Sequence, residues 1–231
     1  MSQHLPSETC RRSSVALAVV IMVVSAESGA NDSFPDYVYC GAPLEQNAFG
    51  RPLDYNDPAE DANIHANVER NHFNRDVEAL TKGQTGILPL DIAYVLSQIP
   101  NHYRALAAMA RWEREHGYRP DLEERKVYSA DCYFRRALIF RPTDPTLHML
   151  YGMHKHYTGD LDGALTEYLV SRRYDPNHIE LNYNLGLLYV DLKEYALARE
   201  AAQIAYSSGF PLAGLRAKLQ RLGEWQVDQT Q

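Results

Sequence analysis

Cysteine and tryptophan are scarce in this 231-residue chain, at three and two residues. None of the cysteines form a C-x-x-C pair. The sequence also lacks G-x-S-x-G, H-E-x-x-H and a glycine loop able to cradle phosphate. Carboxylates are plentiful, yet they scatter over helix surfaces instead of pairing around a nucleophile. The chain therefore reads as non-enzymatic, with nothing in it that calls for a cofactor. A long basic run is missing too, and the formal net charge is −7. Phosphate backbones would be repelled by such a surface, so nucleic acid is not an expected partner. Runs of β-branched residues are sparse over roughly the last 130 residues, where Leu and Ala dominate. That part reads as helical.

The hydrophobic stretch "VALAVVIMVV" (Val15 to Val24) holds ten residues, too few to span a bilayer, which takes ~20. Arg11 and Arg12 precede it, and "SAESGA" follows with Ser28 and Ala30 at the −3 and −1 positions of a cleavage site. A basic region, a short apolar region and small residues together predict a Sec-type signal peptide over 1–30. The mature chain would start at Asn31 as a periplasmic or secreted protein, with no integral membrane span. Cys10 would leave with the signal, and Cys40 and Cys132 would remain in an oxidising compartment. Two readings stay open for this pair: a disulfide, or two separate thiols with one buried.

Residues 31–71 carry four prolines, two glycines and many Asn and Asp, which predicts an irregular N-terminal arm packed on the rest through its aromatics. Residues 72–99 read as N-terminal helices. "HFNRDVEALTKG" forms a short one closed by Gly83, and "ILPLDIAYVLSQIP" a second, with Pro89 near its start and Pro100 past its end.

From Pro100 onward the sequence repeats itself. Gly152 and Gly186 are 186 − 152 = 34 residues apart, as are Ala164 and Ala198, and Ser171 and Ala205. Stepping back by the same interval from Ala164, Tyr168, Ser171 and Pro176 lands on Ala130, Phe134, Ala137 and Pro142. Small residues, aromatics and prolines thus recur in one register.

This pattern resembles the tetratricopeptide repeat, a 34-residue helix-turn-helix unit. "NYNLGLLYVDLKEYALAREAAQIAY" supplies Leu185, Gly186, Tyr189, Tyr195, Ala198 and Ala205 in family order. "HMLYGMHKHYTGDLDGALTEYLVSRRYDP" supplies Tyr151, Gly152, Ala164, Tyr168, Ser171 and Pro176, with Lys155 where the family favours Tyr. The resemblance implies an all-α fold, a short α-solenoid of about three repeats over 100–211. These are 100–142 with an inserted loop at 118–128, then 145–178 and 179–211. A capping helix and tail follow at 212–231, its Leu212, Leu215, Leu219 and Leu222 spaced 3, 4 and 3. Helices within each unit would cross at small residues: Ala107 against Ala130, Gly152 against Ala164, and Gly186 against Ala198.

The resemblance also implies a partner-binding groove lined by successive first helices. Carried over by register, the lining is Arg104, Ala108, Arg111 and Trp112, then Met149, Met153, His156 and Tyr157, then Tyr183, Leu187, Val190 and Asp191. Such a surface suits a protein or peptide segment bearing an acidic group. The Lys and Asn set by which some members of the family clamp a C-terminal carboxylate is not found. A competing arrangement has the arm folding back to fill the groove. His148, His154 and His156 are spaced 6 and 2, not the i, i+4 that two ligands on one helix face require, so no metal site is expected. The function this implies is an exported protein–protein interaction scaffold or adaptor in envelope assembly or secretion. Alternatives are an accessory subunit of an envelope enzyme or transporter, and a cell-wall glycan-binding module using Trp112, Tyr157 and Tyr183.

Overall fold

The computed structural model describes residues 48–225, which fall in one compact unit. The fold is all-α: among the described residues there is no strand, and helices pack against their neighbours along the chain. No helix among these residues is long and apolar enough to cross a membrane. The expected signal peptide lies outside the described residues.

The described part of the arm, 48–71, is less irregular than its composition suggests. Residues 48–57 run through turns and bends yet are docked: Leu53 N–H donates to the Gln98 carbonyl at 2.9 Å, and Asn101, with no exposed surface, donates to Asp54 at 2.6 Å. Asp57 then caps a 3-10 turn at Pro58–Glu60. A π-helical stretch, Asn63–Glu69, runs straight into α1 (Arg70–His72), and the Arg70 N–H reaches back five residues to the His65 carbonyl. Ile64 and Val68, four apart, are driven onto the core by burial, although Asn and His in this stretch are weak helix formers. Tertiary contact has overridden local preference here.

Asn74 accepts from the N–H groups of Asp76 and Val77 and starts α2, which covers only Arg75–Glu78. The expected helix to Gly83 is cut short because Leu80 turns left-handed at φ +60°. Helix α3 (Leu88–Gln98) follows with Pro89 in its first turn, as the sequence suggests. Its Asp91 is fully buried and gathers the preceding loop.

Helix α4 (Tyr103–His116) is capped by a histidine. His102 is fully buried, and its Nδ1 accepts from the Ala105 N–H at 3.1 Å. The ring proton therefore sits on Nε2, which donates to Glu69 at 2.9 Å. Burial holds the His102 pKa below its ordinary value, outweighing Glu69. The unfolded chain then takes up a proton more readily than the folded one. This contribution to stability is complete above pH ~6.5 and is lost as pH falls below it. His148 is the opposite case. Its Nδ1 faces Glu167 at 2.8 Å and its Nε2 the Pro142 carbonyl at 2.9 Å, so both nitrogens donate. Burial opposes that charge, but Glu167 and the carbonyl outweigh it and raise the pKa. Its contribution is complete below pH ~6.5 and is lost as pH rises through the raised value. Urea titrations should accordingly show His102→Asn flattening the loss of stability between pH 7 and 5. His148→Asn should instead remove a gain on passing from pH 8 to 6.5. Unchanged profiles would contradict both assignments.

The inserted loop is a short structured connector. Pro120–Arg125 forms a 3-10 turn pinned by buried Leu122 and Val127, so the segment extends neither neighbouring helix. Ser129 caps α5 (Ala130–Phe140), in whose first turn Cys132 is 6% exposed and disulfide-bonded. Its expected partner, Cys40, lies outside the described residues.

Two helical hairpins complete the stack: α6 (Pro145–Thr158) with α7 (Leu161–Tyr174), and α8 (Ile179–Asp191) with α9 (Tyr195–Ser207). Their first helices start 179 − 145 = 34 residues apart, and so do their second helices, 195 − 161. Burial keeps the same beat. Ala130, Ala164 and Ala198, then Phe134, Tyr168 and Ala202, then Ala137, Ser171 and Ala205 are each at most 1% exposed. The fold is a helical repeat.

Three details differ from the sequence reading. Ala107 is exposed, and Ala108 takes the buried place one residue on, a rotation of about 100° around α4. Counting back through an insertion that is not a whole number of repeats misplaces the register. The two glycines do mark close approaches, Gly152 to Tyr168 instead of Ala164, and Gly186 to Leu215 as well as to the expected Ala198. A Cβ on Gly152 would lie 2.5 Å from the Tyr168 ring, and one on Gly186 would overlap a Leu215 methyl, with the Ala198 carbonyl at 3.5 Å. Finally, α10 spans only Gly214–Arg221, so Leu215 and Leu219 are buried while Leu212 and Leu222, beyond its ends, stay exposed.

Candidate functional site

The sequence-derived groove separates into a closed part and an open part. In the first copy the arginines are already paired. Arg104 grips Glu78 in a two-pronged contact of 2.7 and 2.6 Å and reaches Glu69 at 3.2 Å. Arg111 donates to the Glu78 carbonyl. Burial pushes the Glu69 carboxyl up, yet hydrogen bonds from His102 and His65 bring it down to about 2. The segment 69–78 thus covers this end with its own acids, Glu69 from the last turn of the arm and Glu78 from α2 just after it. Trp112 is 7% exposed and stacks on His116 with ring centroids 5.2 Å apart. Ala108, Met149, Tyr183 and Val190 are likewise buried, Tyr183 against Phe210 at 4.4 Å. These residues are core and line nothing open.

The remaining five, Met153, His156, Tyr157, Leu187 and Asp191, come together in a cleft of about 510 Å³. Helices α6 and α8 form its walls. Leu161 and Tyr168 of α7, Asn184 of α8 and Lys218 of α10 complete the lining, and the register argument missed these four. Lys218 had a discoverable signal, since it stands on the helix expected to cap the stack. Tyr168 had none, being read only as packing.

The polar groups of the cleft are ordered. Asp191 binds His156 Nε2 at 2.9 Å through one oxygen and Lys218 through the other. Burial works against its charge, but Lys218 and His156 hold its carboxyl below the usual range. Asn184 gives its side-chain N–H to the Glu180 carbonyl at 3.0 Å. Tyr168 is 1% exposed, and among the described residues its hydroxyl makes no hydrogen bond, so the phenol tip faces the cleft as a free donor and acceptor. Tyr157 is 64% exposed, the largest value among the exposed apolar side chains. Arg114 lies over its ring, 4.5 Å from the centroid.

Chemically the cleft offers an apolar floor, one exposed aromatic wall and a rim whose Asp191 and Lys218 charges cancel. Its lining holds no Ser, Thr or Cys that the His156–Asp191 pair could activate. The other histidines of the sequence cluster go elsewhere, His148 to Glu167 and His154 onto Phe134. No protein-family model matches the chain, and no curated protein matches it.

Proposed function

We propose that this chain is a non-enzymatic interaction scaffold of the tetratricopeptide-repeat kind, which holds a segment of a partner protein in the cleft between α6, α8 and α10. The observation that carries this reading is the cleft itself, with its apolar floor of Met153, Leu161 and Leu187 beside the exposed Tyr157 ring. Solvent exposure of a large aromatic beside apolar surface favours burial by a partner. Because the helices are already packed, little ordering entropy is lost on binding. The net charge of −7 favours a protein partner over nucleic acid. The signal-like residues 1–30 support export, with the chain working in the envelope, free or as an accessory subunit of a larger complex. The glycan alternative is weaker, since of its three aromatics Trp112 and Tyr183 are buried.

A photoreactive residue installed in cells at Met153 or Leu187 should give a crosslinked adduct, whereas one at exposed Leu169 on α7 should not. Adducts from Leu169 alone, or equally from all three, would move the binding surface off the cleft. Mass spectra of the same adducts read the chain's N-terminus. Export predicts Asn31, and a chain still carrying Met1 would contradict it.

A further inference from the structure

Tyr157 borders two cavities. On one side is the apolar cleft, and on the other a smaller pocket of about 150 Å³ lined by Ala110, Glu113, Arg114, Tyr118, His154 and Thr158. Three arginines of α4 face this general surface, and they differ in one respect. Arg104 binds the Glu78 carboxylate and Arg111 the Glu78 carbonyl, while Arg114 has no hydrogen-bond acceptor of either kind among the described residues. Its guanidinium carbon lies 4.5 Å from the Tyr157 ring centroid, and its N–H groups meet no acceptor among the described residues. Beneath it, His154 is 8% exposed, and its ring makes no hydrogen bond among the described residues. Among the described residues no sealed side-chain nitrogen lacks a hydrogen bond, so the ring nitrogens of His154 reach the pocket. Burial lowers its pKa, so near neutral pH it presents one N–H and one bare nitrogen. Glu113, the carboxylate in this pocket, accepts the Ala130 N–H at 2.6 Å and so is turned toward the start of α5.

We propose that the segment held in the cleft carries a large apolar side chain with a carboxylate residue close beside it. The apolar group fills the space over Met153, Leu161 and Leu187, and the carboxylate crosses Tyr157 to pair with Arg114 and take the His154 N–H. Charge complementarity selects this occupant. On the opposite rim Lys218 is neutralised by Asp191 and exerts no comparable pull. A guanidinium stacked on an aromatic ring is pre-oriented for a planar two-oxygen acceptor. This inference rests on the cleft being the binding site.

The purified chain, labelled and applied to an array of decapeptides, tests both levels separately. Each peptide holds one Leu, Phe or Trp in an Ala/Ser background, with Glu, Gln or Lys placed one to three positions away. Glu peptides should be retained about fivefold more tightly than their Gln counterparts, the scale of one partly exposed ion pair. Arg114→Gln should erase that preference while leaving the dependence on Leu, Phe or Trp. Tyr157→Ala, at an exposed position where folding is not at stake, should weaken every peptide. Apolar-dependent retention with no difference between Glu and Gln overturns the acidic occupant alone. Preference for Lys does the same and assigns the selectivity to Glu113. Absence of retention for every peptide overturns the cleft as a binding site together with this inference.

Discussion

Gly152→Ala is expected to lower the stability of the fold by about 1–2 kcal/mol, whereas Gly186→Ala should leave it nearly unchanged. Either substitution gains about 1 kcal/mol of helix propensity, because alanine restricts the unfolded chain where glycine does not. Packing decides the difference. At position 152 the new Cβ meets the Tyr168 ring at 2.5 and 2.6 Å, and that ring is a rigid plane, 1% exposed, which yields only if the whole side chain shifts. Inserted atoms in a full core cost roughly 1–3 kcal/mol, enough to exceed the propensity gain. At position 186 the obstacle is one methyl of Leu215, the end of a flexible side chain on the short terminal helix α10. A rotation about that side chain clears it. Urea midpoints of the two variants provide the check. A larger loss at 186 than at 152 would mean that α10 is held more rigidly than the Tyr168 ring. Gly152→Leu extends the series, with a loss of about 3 kcal/mol or more.

Asp91→Ala should be more damaging, by about 3–4 kcal/mol. Fully buried on α3, Asp91 accepts from the Gln84 N–H at 2.6 Å, the Thr85 N–H at 3.0 Å, the Thr85 hydroxyl at 2.5 Å and His72 at 3.1 Å. These bonds tie the loop after α2 and the end of α1 to the start of α3. Removing the buried carboxylate takes the shared acceptor from several donors at once, each bond to a charged group being worth ~1.5–3 kcal/mol before the exposed Gln84 and Thr85 turn to water. Asp91→Asn retains the shape but turns an amide N–H toward other N–H groups, so about half the loss remains. The effect depends on pH in a defined direction. Burial raises the Asp91 carboxyl, but bonds from Thr85, His72 and Gln84 outweigh it and leave the pKa lowered. Its contribution is present above the unfolded carboxyl value of ~3.9 and is lost as pH falls through the lowered one. Glu69, held at about 2, behaves alike over its own range, from ~4.3 downward. In Asp91→Ala the acid-unfolding curve should therefore be shallower below pH 4, while the Glu69 portion persists. A curve parallel to that of the parent would show that Asp91 titrates normally and that its bonds add little.

Parts of this molecule were legible because they repeat. Positions 130, 164 and 198 carry Ala three times, and the structure buries all three, since a second helix can approach only where its side chain is small. The helix start announced by Pro89 fell where local chemistry puts it. The histidine caps went unread although the sequence offers a hint. "PNH" occurs at 100–102 and again at 176–178, and His178 caps α8 through Nδ1 as His102 caps α4. Histidine is not among the residues usually sought at that position. The groove was half legible. Register placed Met153, His156, Tyr157, Leu187 and Asp191 together, but it could not foresee that Trp112 and Tyr183 would be drawn under the surface.

By itself the sequence determined the helical class and the 34-residue beat. These follow from forces acting along a few turns: propensity, capping and apolar spacing. Tertiary structure alone decided which part of the groove stays open. Segment 69–78 neutralises Arg104 through Glu69 and Glu78 and takes an N–H of Arg111 on the Glu78 carbonyl, whereas Arg114, ten residues beyond Arg104 on the same helix, stands beside Tyr157 with no such partner among the described residues. Ion pairing depends on which carboxylate arrives within a few ångströms from a distant stretch of chain, and no local pattern carries that distance.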